Sequence, residues 1–312
     1  MPPGNAGNAP GIAVSRQWIK LPERGSGAAL GLIYWIGIRL GRGVGRLLLY
    51  PITLYFLLTA ATPRRASRAF LRRVLGREPG YRHIFRHLHC FAATLLDRAY
   101  LLAGQTERFD IRIHGGQLIF DQIASGRGCI LLGSHLGSFE VLRVLGVTQR
   151  HLPLKVLMNI DHNQVITRFA NALNPEIAAT TIPIRGPGTL LKARESLEEG
   201  CLIGALGDRV VADDRITHCH FLGKRTRFPA GPMLLAAMLR CPVILAVALY
   251  RGGNRYEIYF ERLADRIVVD RRQRQADIQY WTQRYVDRLE YYVRSAPCNW
   301  FNFYDYWQED EA

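Results

Sequence analysis

A chain of 312 residues is long enough to bury a sizeable core as one large domain plus an appendage. Lysine and arginine number 41 against 26 acids, a net +15 that favours anionic partners: nucleic acid, anionic lipid headgroups or an acidic protein. The six cysteines are scattered through mostly apolar stretches, which excludes a small disulfide-stapled fold and points to reduced thiols on the cytoplasmic side.

The first 26 residues are Gly/Pro-rich, carry Arg16, Lys20 and Arg24, and contain no apolar core before a small-residue cleavage site, so they read as a flexible tail without a secretory signal. An uncharged stretch lies between Arg24 and Arg39 and a second runs from Leu47 to Pro63, with Arg39, Arg42 and Arg46 between them. Gly41, Gly43, Gly45 and Pro51 weaken a single continuous helix there, and neither stretch reaches the roughly 20 apolar residues of a span. The expectation is an interfacial or re-entrant helical pair anchored by Tyr34, Trp35, Tyr50 and Tyr55. The alternative is a helical hairpin that covers the core of a soluble enzyme.

After Pro63 a short helix brings Arg64, Arg65, Arg68 and Arg72 within about 100° of arc, with Phe70 and Val74 opposite. That basic face is either solvated surface or a docking site for phosphate headgroups or an acidic carrier. From Tyr81 to Leu102 apolar residues recur at helical spacing and predict a core helix. His83 and His87 stand one turn apart on it but lack the carboxylate or paired-cysteine companions of a metal site, so hydrogen-bonded or solvated histidines are the preferred reading.

Short apolar runs then alternate with helical patterns. Strands are expected at Phe109–His114, Cys129–Gly133, Leu154–Met158, Thr180–Ile184, Cys201–Leu206, Val243–Leu249 and Tyr256–Phe260. Helices are expected near 138–146, 163–173, 188–198 and 232–240, with a closing helix at about Arg272–Arg294. This alternation predicts an α/β fold, an αβα sandwich with a mixed, largely parallel sheet, preceded by N-terminal membrane-associated helices. The organisation read from the chain is a tail (1–26), membrane-associated and basic helices (27–80), a catalytic domain (81–307) and an acidic tail (308–312).

The stretch His135-Leu136-Gly137-Ser138-Phe139-Glu140, just past the apolar run Gly128–Gly133, carries the chemistry. In a regular helix five positions leave two side chains about 140° apart, so a His135–Glu140 pair needs a bend, which Gly133 and Gly137 can supply. With Ser138 as N-cap, Glu140 would enter the first turn of a helix, fix one imidazole nitrogen and leave the other as a base. Ligands collect beyond the carboxyl ends of strands, so the loops carrying Arg185 and Asp208-Arg209 are expected to complete the site, the arginines binding a phosphate or a developing oxyanion. Their alternative is a structural ion pair. Ser134 and Ser138 allow a serine-nucleophile hydrolase, which the lack of G-x-S-x-G disfavours. His218 and His220 would share one face of a strand without a third zinc ligand, and Gly41-Arg42-Gly43-Val44-Gly45 lacks the context of a dinucleotide site.

The box around His135 resembles that of the lysophospholipid acyltransferase superfamily, and within it the lipid A late (lauroyl/myristoyl-type) branch. Further pieces follow in the order of that branch: Ile182-Pro183-Ile184-Arg185, Leu197-Glu198-Glu199-Gly200, Gly207-Asp208-Arg209, Phe221-Leu222-Gly223, Phe228-Pro229-Ala230-Gly231-Pro232, Cys241-Pro242-Val243-Ile244 and the aromatic terminus Asn299-Trp300-Phe301-Asn302-Phe303-Tyr304. The E-G-T-R box of the glycerolipid members is absent, and Phe228–Pro232 stands in its place. The resemblance implies a glycerol-3-phosphate acyltransferase-like fold, His135 as general base and Glu140 as its orienting acid. Gly137, Ser138, Arg185, Asp208 and Arg209 would lie on the substrate, and Arg64, Arg65, Arg68 and Arg72 would dock a carrier or headgroup. It implies acyl transfer from an acyl carrier protein or coenzyme A thioester to a lipid or glycolipid hydroxyl at the inner membrane. A lysophospholipid or pigment lipid is an alternative acceptor. No metal or redox cofactor and no nucleic acid is implied; a basic nucleic-acid-binding protein or a non-catalytic membrane scaffold are the readings from other classes.

Overall fold

The computed structural model describes residues 41–158, 174–184, 188–210 and 215–307. Both expected tails, the uncharged stretch between Arg24 and Arg39, the expected helix at 163–173 and Arg185 lie outside the described residues.

In chain order the elements are α1 (Arg42–Thr59), α2 (Ala61–Leu75), α3 (Tyr81–Leu102), β1 (Asp110–His114), α4 (Gln117–Ala124), β2 (Cys129–Gly133), α5 (Phe139–Val144), β3 (Leu154–Met158), α6 (Pro175–Ala179), β4 (Thr181–Pro183), α7 (Gly188–Glu198), β5 (Leu202–Leu206), β6 (Ile216–Phe221), β7 (Lys224–Pro229), α8 (Gly231–Leu239), β8 (Val243–Gly252), β9 (Arg255–Ala264) and α9 (Arg274–Ser295). A wider π turn over Leu145–Gln149 continues α5. The main sheet has seven strands in the order β1-β9-β8-β2-β5-β3-β4. Every neighbouring pair is parallel except the β8–β9 hairpin, so the sheet is mixed and largely parallel as expected.

Period-two alternation in the central strands builds two cores, one on each face of the sheet. Ile130, Leu132, Ile203, Ala205, Val243, Leu245 and Val247 pack with α7, α8, α9 and Trp300. Cys129, Leu131, Leu202, Ile244, Ala246 and Ala248 face the other way, toward α5 and the C-terminal half of α3. β6 and β7 form a separate antiparallel hairpin, of which the sequence pattern suggests only the strand around His218 and His220. Its inward Phe221 and Phe228 pack beside Trp300 and Tyr306, closing the core against the chain's end.

The N-terminal region departs from expectation. α1 runs unbroken through Gly43, Gly45 and Pro51. Pro51 removes a helical hydrogen bond, yet Gly45, Leu49, Thr53 and Leu57, repeating every four residues, are buried and hold the helix along one face. Its first turn is clamped by charge. Arg42 Nε lies 2.9 Å from Asp97 on α3 and Arg46 Nη2 lies 3.3 Å from the same carboxylate. Tyr256 donates to Asp97 over 2.9 Å, and both arginines donate to the Gly253 carbonyl. Asp97 is fully buried, and a buried carboxylate is tolerable only when paired and hydrogen-bonded in this way. At the far end Arg64 Nη1 donates to the carbonyls of Leu57 (2.6 Å) and Leu58 (2.9 Å), where the chain bends into α2. No single described helix is long and apolar enough to cross a membrane; α1 and α2 are so only together, bent by 93°.

Two of the three histidines of α3, His87 and His89, have hydrogen-bond partners, whereas the buried Nδ1 of His83 has none among the described residues. His87 is buried between Ser67 Oγ (2.9 Å) and the Trp300 carbonyl (2.9 Å), and burial pushes its pKa down to about 4. Neutral at ordinary pH, it donates to the carbonyl and ties the C-terminal segment to α2 and α3. His89 pairs with Thr53. Among the described residues no group of histidine, cysteine and acidic side chains could hold a metal ion.

Candidate active site

His135 stands at the carboxyl end of the sheet because of register. β2 and β5 run parallel with Gly133 opposite Leu206, and Gly207 N donates to Gly133 O over 3.0 Å. Two residues further on, the same alignment brings His135 opposite Asp208. The Asp208 carboxylate accepts from the His135 backbone N–H with both oxygens at 3.0 Å and from Nδ1 at 2.8 Å. Tyr285, from α9, donates to Gly133 O over 2.9 Å and so fixes the end of β2.

The resulting electrostatics define the tautomer. Burial alone would raise the Asp208 pKa, but the facing imidazole, Arg209 and the Asn302 amide together hold it down at about 2. An ionised carboxylate only accepts, so Nδ1 carries the proton and Nε2 keeps its lone pair. Burial and the nearby Arg209 charge lower the His135 pKa, with Asp208 acting in the opposite sense. The ring is therefore neutral at physiological pH. Its side chain keeps 29% of its surface accessible, while Asp208 has none. An imidazole held in this way, with one open nitrogen and a sealed carboxylate behind the other, is chemically able to act as a base.

Glu140 is somewhere else, which corrects the pairing expected from the sequence. Gly137 bridges Ala248 and Leu136 bridges Trp300, so the segment after His135 is pulled out extended and the helix starts only at Phe139. Glu140 then faces α3: Oε2 lies 3.0 Å from Arg98 Nη2, and Oε1, without a hydrogen-bond partner among the described residues, lies 3.8 Å from Arg143 Nη1. Arg143 is itself buried and donates to Thr180 Oγ1 (3.0 Å) and Thr181 Oγ1 (2.8 Å), so the Glu140 charge balances a pair of cations between α3, α5 and the β4 region.

Gly137 supplies the bend it was expected to supply. Its φ is +72°, and a Cβ there would stand 1.8 Å from the Ala248 carbonyl oxygen, so only glycine fits. Ser138 occupies the N-cap position, yet its side chain makes no capping bond. The backbone amides are engaged as well: Gly137 N donates to Asn299 O (2.7 Å) and Ser138 N to Ala248 O (2.8 Å). These amides and that of His135, bound to Asp208, thus serve the loop's own structure. Among the described residues neither Ser134 nor Ser138 hydrogen-bonds His135, which removes the geometric basis of a serine nucleophile.

Arg209 braces the end of the chain. Its Nε donates to Asn302 Oδ1 over 2.7 Å, its Nη2 to Phe301 O over 2.9 Å, and its guanidinium lies 6.0 Å from the Tyr304 ring centre. The aromatic terminus in turn forms one wall of the site. Phe301 N donates to His135 O (2.8 Å), Asn299 clasps the Tyr250 backbone through both ends of its amide (2.7 and 3.0 Å), and Tyr306 OH donates to Asp208 O (2.7 Å). Asn299 and Asn302 were visible in the sequence only as parts of an aromatic motif. Two asparagines in an otherwise apolar run, both buried, are the signal that could have singled them out.

The chain matches the profile of a family described as bacterial lipid A biosynthesis acyltransferase over residues 24–309. No match was found among functionally curated proteins. With nearly the whole chain covered by that profile, and a His135–Asp208 pair at the carboxyl end of a largely parallel sheet, the protein belongs to the bacterial lipid A biosynthesis acyltransferase family and is an acyltransferase.

Proposed function

We propose that the enzyme moves a fatty acyl group from a thioester of acyl carrier protein or coenzyme A to a hydroxyl of a lipid or glycolipid acceptor, at the cytoplasmic surface of the inner membrane. The observation that carries this reading is the 2.8 Å contact of His135 Nδ1 with fully buried Asp208, which leaves Nε2 as a neutral base. A hydroxyl is a poor nucleophile until its proton is removed. Nε2 takes that proton as the oxygen attacks the thioester carbonyl, Asp208 stabilises the imidazolium, and collapse of the intermediate expels the thiolate, which recovers the proton from Nε2. Arg209 adds positive potential from the C-terminal side, and no covalent acyl-enzyme is needed. Arg185, expected on the substrate, lies outside the described residues.

The setting supports a membrane surface. Beside its buried stripe α1 exposes Leu47, Leu54, Tyr55 and Leu58, the largest at 69%. A helix pinned at both ends with its apolar side outward suits burial in the headgroup–acyl boundary. Of the basic face, Arg64 is engaged with α1 and Arg68 lies 3.7 Å from Glu78 and 5.4 Å from the Tyr81 ring centre. Arg65 and Arg72 are exposed and are the better candidates for a carrier or headgroup.

Mass spectrometry of lipids from cells with and without the gene is expected to show one acceptor lipid lighter by a single acyl group in its absence; identical lipid profiles would remove the reading. Membrane fractions should release the protein with detergent and not with 1 M salt, because apolar burial dominates and exposed charges are screened at about 3 Å in such salt. Complete release by salt would place the α1 side chains off the bilayer.

A further inference from the structure

We infer that Asn302 is a positioning residue that sets the proton affinity of the catalytic base. The inference rests on the reading of His135 as base and goes beyond it, since no motif of the His135 box contains this residue. Asn302 is 1% exposed and stands between two groups of fixed polarity. Asp208 Oδ2 can only accept, and receives the Asn302 amide nitrogen at 2.9 Å; Arg209 Nε can only donate, and gives to the Asn302 oxygen at 2.7 Å. The amide therefore has one possible orientation, and the arginine locks it. Aspartate at this position has no amide donor for Asp208, and glutamine is one methylene too long.

The consequence for His135 has a definite sign. Asp208 holds a proton on the imidazole through Nδ1, and the stronger its uncompensated charge, the more basic the ring. The Asn302 N–H shares that charge and moderates it, while Arg209, linked through the same amide, lowers the affinities of both Asp208 and His135. Asn302 thus helps keep the base neutral and available at physiological pH. The backbone around it reinforces the placement: Phe301 N is bonded to His135 O and Asn299 O receives Gly137 N, so the segment that carries Asn302 pairs directly with the segment that carries the base.

The test uses the full chain in detergent micelles with ¹⁵N-labelled histidine rings, and the His135 resonance is assigned by its loss in His135→Gln. Asn302→Ala and Asn302→Asp should both move the His135 titration upward, Asp more than Ala because it adds a negative charge. The acidic limb of the kcat/KM profile for an acyl-carrier thioester should follow in the same direction. At neutral pH kcat should fall about tenfold to a hundredfold, the range for losing one hydrogen bond to a charged group, with KM changed less than about twofold. Lower activity with an unmoved His135 titration, in variants that melt at lower temperature, would overturn the proposal and leave Asn302 a purely structural residue. Should the aspartate variant fail to fold, Asn302→Ala, which buries no charge and offers no donor, carries the readout alone, and a folded alanine variant that titrates like the parent overturns the proposal equally. Full activity in His135→Ala would instead strike the parent reading of the base, and the titration experiment distinguishes the two because it needs no turnover.

Discussion

His135→Ala is expected to lower the rate of acyl transfer by about 10²–10⁴ with little change in thermal stability, because general-base catalysis contributes in that range. The stability part follows from the surroundings. The imidazole is partly exposed, and although its removal takes one hydrogen bond from Asp208, that carboxylate keeps the His135 backbone N–H and the Asn302 amide. Thermal melts and initial rates on the same preparation check both halves. A purified variant with parental activity would remove His135 from the chemistry altogether.

Asp208→Asn should be nearly as damaging, roughly 10²–10⁴ in kcat, through a different step. An amide cannot stabilise an imidazolium as a carboxylate does, and it can turn its N–H toward Nδ1, which favours the tautomer with the proton on Nε2 and leaves no base. The pH dependence has a defined sign. Asp208 raises the proton affinity of His135, so its loss should move the acidic limb of the kcat/KM profile to lower pH, opposite to the movement expected for the Asn302 variants. In the parent enzyme the limb itself should lie below about pH 6.5, the ordinary histidine value, because burial and Arg209 together outweigh Asp208.

Much of this architecture was legible from periodicity alone. β2 and β3 fall on the expected residues, and α7 and α9 lie within two residues of them, because their apolar runs and helical stripes are long and bounded by glycine or charge. The β6–β7 hairpin was only half legible, since Lys224–Pro229 is rich in arginine and hides its inward Thr226 and Phe228. α1 was misread because local propensity counts Gly43, Gly45 and Pro51 as breaks, while burial against α3 and the Asp97 clamp outweigh them. His135, the proposed base, stands out in the sequence and its partner does not. Linear spacing nominated Glu140, five positions away, but parallel strands bring together residues far apart in the chain, and the register of β2 on β5 delivers Asp208. Asp208 itself was noticed, as a loop residue on the substrate side. Its role depended on an alignment of strands that a single sequence does not display.

The identity of the acid on His135 is the claim from which the rest follows, and ring ¹⁵N spectra of His135 in Asp208→Asn and Glu140→Gln test it directly. The expected result is a changed tautomer and a lowered titration point in Asp208→Asn. Glu140→Gln should leave the His135 signal as in the parent while the protein melts at lower temperature, since the Arg98–Arg143 pair loses its counter-charge in a mostly buried setting. A His135 signal that shifts in Glu140→Gln and stays fixed in Asp208→Asn would contradict the account and restore the pairing suggested by sequence spacing.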